Sequence, residues 1–200
     1  FAVSAMRVML TIRAGRFDEA EEQAKACAEL GRTAGDADAM GWYGAQLMAI
    51  RWFQGRLTEL LPLLDETVRS STLSTIDNSY FAALAVAAAV AGDQRKAAGS
   101  LARLIGHDLA ELPRSSTWLV SMSGVAETAY LLEDAATAAR VHDLLTPYAD
   151  LPTMASLAVA CFGSACGPPG AVLIFLSVSA TMWVLSPERD GNPGRPFAWQ

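Results

Sequence analysis

The sequence predicts an all-α protein, a stacked array of antiparallel helical hairpins. Three observations predict it. A turn-then-helix phrase returns about four times, as "AGRFDEAEEQA" at Ala14, "QGRLTELLPLL" at Gln54, "AGDQRKAAGSL" at Ala91 and "LEDAATAARVH" at Leu132. The turn positions Gly15, Gly55, Gly92 and Glu133 lie 40, 37 and 41 residues apart, the period of two-helix repeat units. Each phrase also carries an apolar stripe at helical spacing, with its charges turned away. One hairpin cannot bury both of its faces, but a neighbour can cover the remainder. The competing reading is an ordinary helical bundle with coincidental glycines.

Val3 to Ile12 is a compact apolar segment fit to be a first helix. Gly15 then ends it and turns the chain. In "GRFDEAEEQAKACAEL", Phe17, Ala20, Ala24, Cys27 and Ala28 form one stripe, while Asp18, Glu21, Glu22, Lys25 and Glu29 face water. Asp18 and Glu19 complement the helix dipole from the first turn. Ala37 to Phe53 is the next first-helix, and Gly55 turns it into Leu57 to Val68. Pro62 inside that run predicts a kink or a late helix start. "SSTLSTIDNS" reads as a loop. Tyr80 to Ala91 follows, with Gly92 as turn and Ala97, Leu101 and Leu104 as the partner stripe. "GHDLAELPRSS" connects, broken at Pro113. Trp118 to Leu132 and Ala135 to Leu145 make the fourth pair, closed by Pro147.

Beyond it, "MASLAVACFGSA" reads as the first helix of a fifth repeat. A further turn phrase is due near residue 172, but the chain gives "CGPPGAVLIFLSVSATMWVLSPERDGNPGRPFAWQ" instead. The domain reading is therefore helical repeats over 1–165 and an atypical apolar tail over 166–200. No charge occurs from Leu151 to Pro187. The run Ala171 to Leu185 is shorter than the roughly 20 residues that span a bilayer. Three readings fit this tail: a buried element covering the end of the array, a membrane-associating hairpin, or a shifted reading frame.

Two hundred residues with net charge -6 and pI near 4.9 have the wrong sign for a duplex-binding surface, and the 15 basic residues form no run. Cys27, Cys161 and Cys166 have no framework spacing, which predicts reduced, buried thiols and a cytoplasmic setting. Phe1 to Leu10 lacks the pattern of a secretory leader. A start at Phe1 reads as a fragment of something longer.

Neither His107 nor His142 has a ligand at i+4, so no metal, cofactor or catalytic residue is expected. No phosphate-binding loop of the GxxxxGK[ST] kind exists. "GSACG" has the outline of a nucleophile elbow but follows a segment read as helical. Glu21/Glu22 and Asp36/Asp38 read as solvated charge, not as a glycosidase pair. First helices of such arrays usually line the concave surface. Tyr43, Gln46, Arg51 and Tyr80 are thus the candidates for a partner groove, with inter-repeat core as their other reading.

The large residue two positions after each turn and the small or apolar one at five resemble the second-helix half of tetratricopeptide repeats. "GRFDEAEEQAKACAELGRTAGDADAMGWYGAQLMAIRWFQGRLTELLPLL" (Gly15 to Leu64) and "ARVHDLLTPYADLPTMASLAVACFGSA" (Ala139 to Ala165) are similar to the C-terminal helical-repeat regions of large bacterial ATP-binding transcriptional regulators, LuxR-type or joined to cyclase or AAA-like modules. The resemblance implies a right-handed superhelical α-solenoid. It also implies a non-enzymatic module that binds a small effector or protein partner. Such a module relays binding to an ATPase and a DNA-reading helix-turn-helix, both outside this chain. The alternative function is a scaffold or membrane-tethered adaptor anchored by the tail.

Overall fold

The computed structural model describes residues 1–69, 78–106, 108–156 and 158–164. Eight helices occupy most of them: α1 (Ala2–Arg13), α2 (Phe17–Thr33), α3 (Ala39–Phe53), α4 (Leu61–Arg69), α5 (Ser79–Val90), α6 (Gln94–Ile105), α7 (Trp118–Leu131) and α8 (Ala135–Leu145). A two-stranded antiparallel sheet follows, β1 (Pro152–Ala155) and β2 (Ala160–Ser164). A single 3-10 turn, Leu57–Leu60, precedes α4, and Pro62 stands at the second position of α4, where its missing N–H costs nothing. The late helix start expected from Pro62 is what the chain forms. The loop "SSTLSTIDNS" lies mostly outside the described residues, as do His107, Cys166 and the tail from 166 to 200.

All four turn positions adopt left-handed backbone: Gly15 at φ 73, Gly55 at 68, Gly92 at 79 and Glu133 at 57 degrees. Each closes the same pair of hydrogen bonds. At the first, Gly15 N–H donates to Ile12 O and Arg16 N–H to Thr11 O; at the last, Glu133 N–H donates to Tyr130 O and Asp134 N–H to Ala129 O. This double closure satisfies carbonyls that a helix end would leave orphaned. Glu133 does so with a side chain that disfavours the conformation. α6 and α8 then start on acidic caps, whereas Arg16 and Arg56 stand at the corresponding positions of the first two pairs. Asp93 accepts from Lys96 N–H and Asp134 from Thr137 N–H.

Packing follows chain order. α2 packs on α3, the Leu57–Leu60 turn and α4 on α5, and α5 on α7. Small residues allow the approach: Ala20, Ala24 and Ala97 are fully buried. A Cβ on Gly124 would lie 3.0 Å from that of Ala82. α5 is buried on nearly every side, from Phe81 through Ala88.

The segment read as a fifth first-helix is corrected: it forms the β hairpin. Met154 pairs with Cys161 and Ala155 with Ala160. Ser156 and Ala158 turn it at φ 53 and 59 degrees. Cys161 is therefore on a strand, as are Gly163 and Ser164 of "GSACG"; the rest of that stretch lies outside the described residues. The all-helical expectation holds among the described residues as far as residue 148 and fails for this hairpin. Among the described residues, no helix is long and apolar enough to cross a membrane.

Candidate partner-binding surface

The β hairpin does not project from the last helical pair. It turns back along the first helices, with β1 on α7 and β2 on α3 and α1. Ala155 and Ala160 join Ala5, Val8, Ile12, Ala24 and Ile50 in one apolar cluster, with Phe162 and Val120 packed against it. Phe162 meets Trp52 edge-on, with centroids 6.2 Å apart. Apolar contact is the main attachment, since each buried side chain of this size contributes about 1–3 kcal/mol.

Two polar anchors fix its register. Gln46 is 1% exposed, and its Nε2 donates to Ala5 O at 3.3 Å and Val159 O at 3.5 Å. That amide therefore ties α1, α3 and the hairpin tip together. On the other side, Ser123 Oγ and Thr153 Oγ1 lie 3.4 Å apart, joining α7 to β1. One amide at the hairpin turn and one hydroxyl on β1 thus hold the hairpin against α1, α3 and α7.

The sequence-predicted residues divide accordingly. Gln46 faces the inner surface and holds the hairpin. Tyr43, three residues earlier, is half-buried and packs against the apolar clusters on both sides of α3. Tyr80 starts α5, its hydroxyl 3.5 Å from where a Cβ on Gly41 would sit, so α3 and α5 are close there. Arg51 is committed elsewhere. Its Nη1 bonds Glu21 Oε2 at 2.7 Å and Gln54 Oε1 at 3.0 Å, and its Nε lies 3.3 Å from Glu59. The hydrogen bond from Arg51 holds the Glu21 carboxyl below its usual range, and Glu21 raises Arg51 in return. Arg51 thus rivets α3 to α2 and supplies no free cation to the inner face.

The residue that sequence reasoning missed is Glu127. Val120, Ser123 and Glu127 recur at three- and four-residue spacing along α7, so Glu127 shares the stripe that β1 covers. Burial pushes its carboxyl up to about 7. The signal was present: Glu127 is the lone charge in "WLVSMSGVAETAYLL".

Other candidates separate in space. Cys27 is buried and its thiol is raised by burial, while Cys161 lies across the sheet from Met154; both are free thiols. His142 is exposed beside Asp143. Among the described residues no cluster of His, Cys, Asp and Glu could hold a metal ion. An open hollow of about 470 Å³ between α4, α5 and α6 is lined by Arg69, Lys96, Arg103 and Phe81. Two of its cations are engaged, Lys96 by Asp65 at 2.5 Å and Arg103 over the Phe81 ring at 4.6 Å. Against known proteins, no family model, curated protein or solved structure matches this chain.

Proposed function

We propose that the chain is a non-enzymatic interaction and effector-sensing module, a tetratricopeptide-like superhelical array from a bacterial transcriptional regulator. The supporting observation is the wall of α1, α3 and α7, which holds the β hairpin by its turn through Gln46 and by β1 through Ser123. A protein partner with a short extended segment of small apolar residues competes for the same wall. The hairpin is then the resting occupant, and its release changes how α1 and α7 are held, a difference that attached domains read. Tyr43 and Tyr80 border this wall as contact residues.

Two experiments test this. The reading frame on either side of residues 1–200 should encode a nucleotide-binding loop or a helix-turn-helix; a frame encoding neither overturns the regulator assignment. Replacing Gln46 with Ala should speed proteolytic cleavage within residues 151–164 while leaving the helical circular dichroism signal in place. Unchanged cleavage overturns the role of Gln46 as the hairpin's anchor.

A further inference from the structure

The internal repetition gives each position of α1 a counterpart in α3, α5 and α7. Counting back from the left-handed turn residue, Leu10 corresponds to Ile50, Ala87 and Thr128. Those three are all 0% exposed, whereas Leu10 is 56% exposed. The cover over Ile50 and Ala87 comes from the preceding pair. Ile50 packs with Ala20, Ala24 and Cys27 of α2, and Ala87 with Leu57, Leu60 and Leu64. On α1 the same side shows Val3 and Met6 as well, 65% and 42% exposed, in line with Leu10.

Charge narrows the occupant. α1 carries Arg7 and Arg13 beside this stripe and no acid. Arg7 stands where the later first-helices bury Leu47, Leu84 and Val125, so whatever covers α1 must bring a carboxylate. α2 brings such a group to α3, where Glu21 meets Arg51 at 2.7 Å. A second copy of the chain fits poorly. Two α1 faces set against each other would oppose their arginines. α8, at the far end, shows Ala136, Arg140, His142 and Asp143 outward, with no large exposed apolar side chain.

We propose that the outward face of α1, formed by Val3, Met6 and Leu10 between Arg7 and Arg13, seats one more amphipathic, acid-edged helix of the α2 kind, joined ahead of α1 as α2 is joined ahead of α3. α8 is then the polar cap of the array and α1 an interior helix lacking its neighbour. This holds independently of the partner-binding reading above.

The probe is the chain's own sequence. Phe1 corresponds to Gly41 in the repeat register, so a second copy of residues 17–40 fused directly before Phe1 places an α2 helix in position. The full chain extended in this way should melt several degrees higher than the chain alone, at about 2–4 °C per kcal/mol for this size. An extension of the same residues in scrambled order should not raise it. Leu10→Asp should abolish the rise, yet leave the unextended chain within about a degree of its own melting temperature. Four results overturn the proposal. They are no rise, a rise that survives Leu10→Asp, a large loss from Leu10→Asp in the unextended chain, or a dimer of the unextended chain that Leu10→Asp dissociates.

Discussion

Glu127→Gln isolates the energetic cost of half-burying a carboxylate on α7. The folded protein holds this acid near 7 against an ordinary 4.5, with burial as the cause. Below pH 4.5 both folded and unfolded chains carry the proton, and nothing is lost. Between 4.5 and 7 the unfolded chain releases a proton that the folded chain retains, so stability falls as pH rises. Above 7 the loss levels off at about 3.5 kcal/mol, taking about 1.4 kcal/mol per pKa unit. The amide keeps the shape and cannot ionise. Urea denaturation of both proteins at pH 5 and pH 8 should show the variant gaining about 2.5 kcal/mol more over wild type at pH 8 than at pH 5. Any hydrogen bond that the amide makes or lacks contributes equally at both pH values and cancels. The carboxylates of Glu21 and Asp134 are lowered by their partners and act in the opposite sense, losing stability as pH falls, but they are common to both proteins. A gap between variant and wild type that does not change with pH refutes the burial of an ionisable Glu127.

The left-handed turns make a matched pair. Gly92→Ala should cost about 1–2 kcal/mol from φ alone, because nothing lies within 4 Å of the added Cβ. Glu133→Gly should gain about 0.5–1 kcal/mol, the relief of strain being partly offset by the freedom glycine adds to the unfolded chain. Thermal melts of the two variants should move in opposite directions. Gly31→Ala tests the α2–α3 approach. Its Cβ would sit 2.6 Å from the Phe1 ring and 2.7 Å from the Ala39 Cβ, and the expected cost is about 1–3 kcal/mol. A shift in tryptophan fluorescence should accompany it, since Phe1 stacks on Trp42 at 4.7 Å.

The helical pairs were readable because their punctuation is chemical. Gly15, Gly55 and Gly92 stand where φ must be positive, and even the weak copy at Glu133 turns the same way. The hairpin was not readable for the opposite reason. Its turn uses Ser156 and Ala158 in left-handed backbone, residues that give no such signal. β2 does not alternate cleanly either, because Ala160 and Cys161 are both buried. A short run of small apolar residues fits a buried helix and a buried strand equally. The groove candidates depended on that missing piece. Gln46 is buried and donates to Ala5 and Val159, the latter more than a hundred residues away, a partner that its own helix does not announce. Arg51 turned out to be spent on Glu21, a pairing across elements that spacing within one helix does not reveal.

The return of residues 152–164 to α1 and α3 also sets when those helices can mature. A linear stack could finish its first pair as soon as the second left the ribosome, each unit resting on local contacts. Here α1 and α3 wait for Ala155, Ala160 and Phe162, which lie far later in the chain, to complete their apolar cluster. α1 and α3 therefore stay incompletely packed until residues 152–164 have emerged, and their shared cluster closes only then.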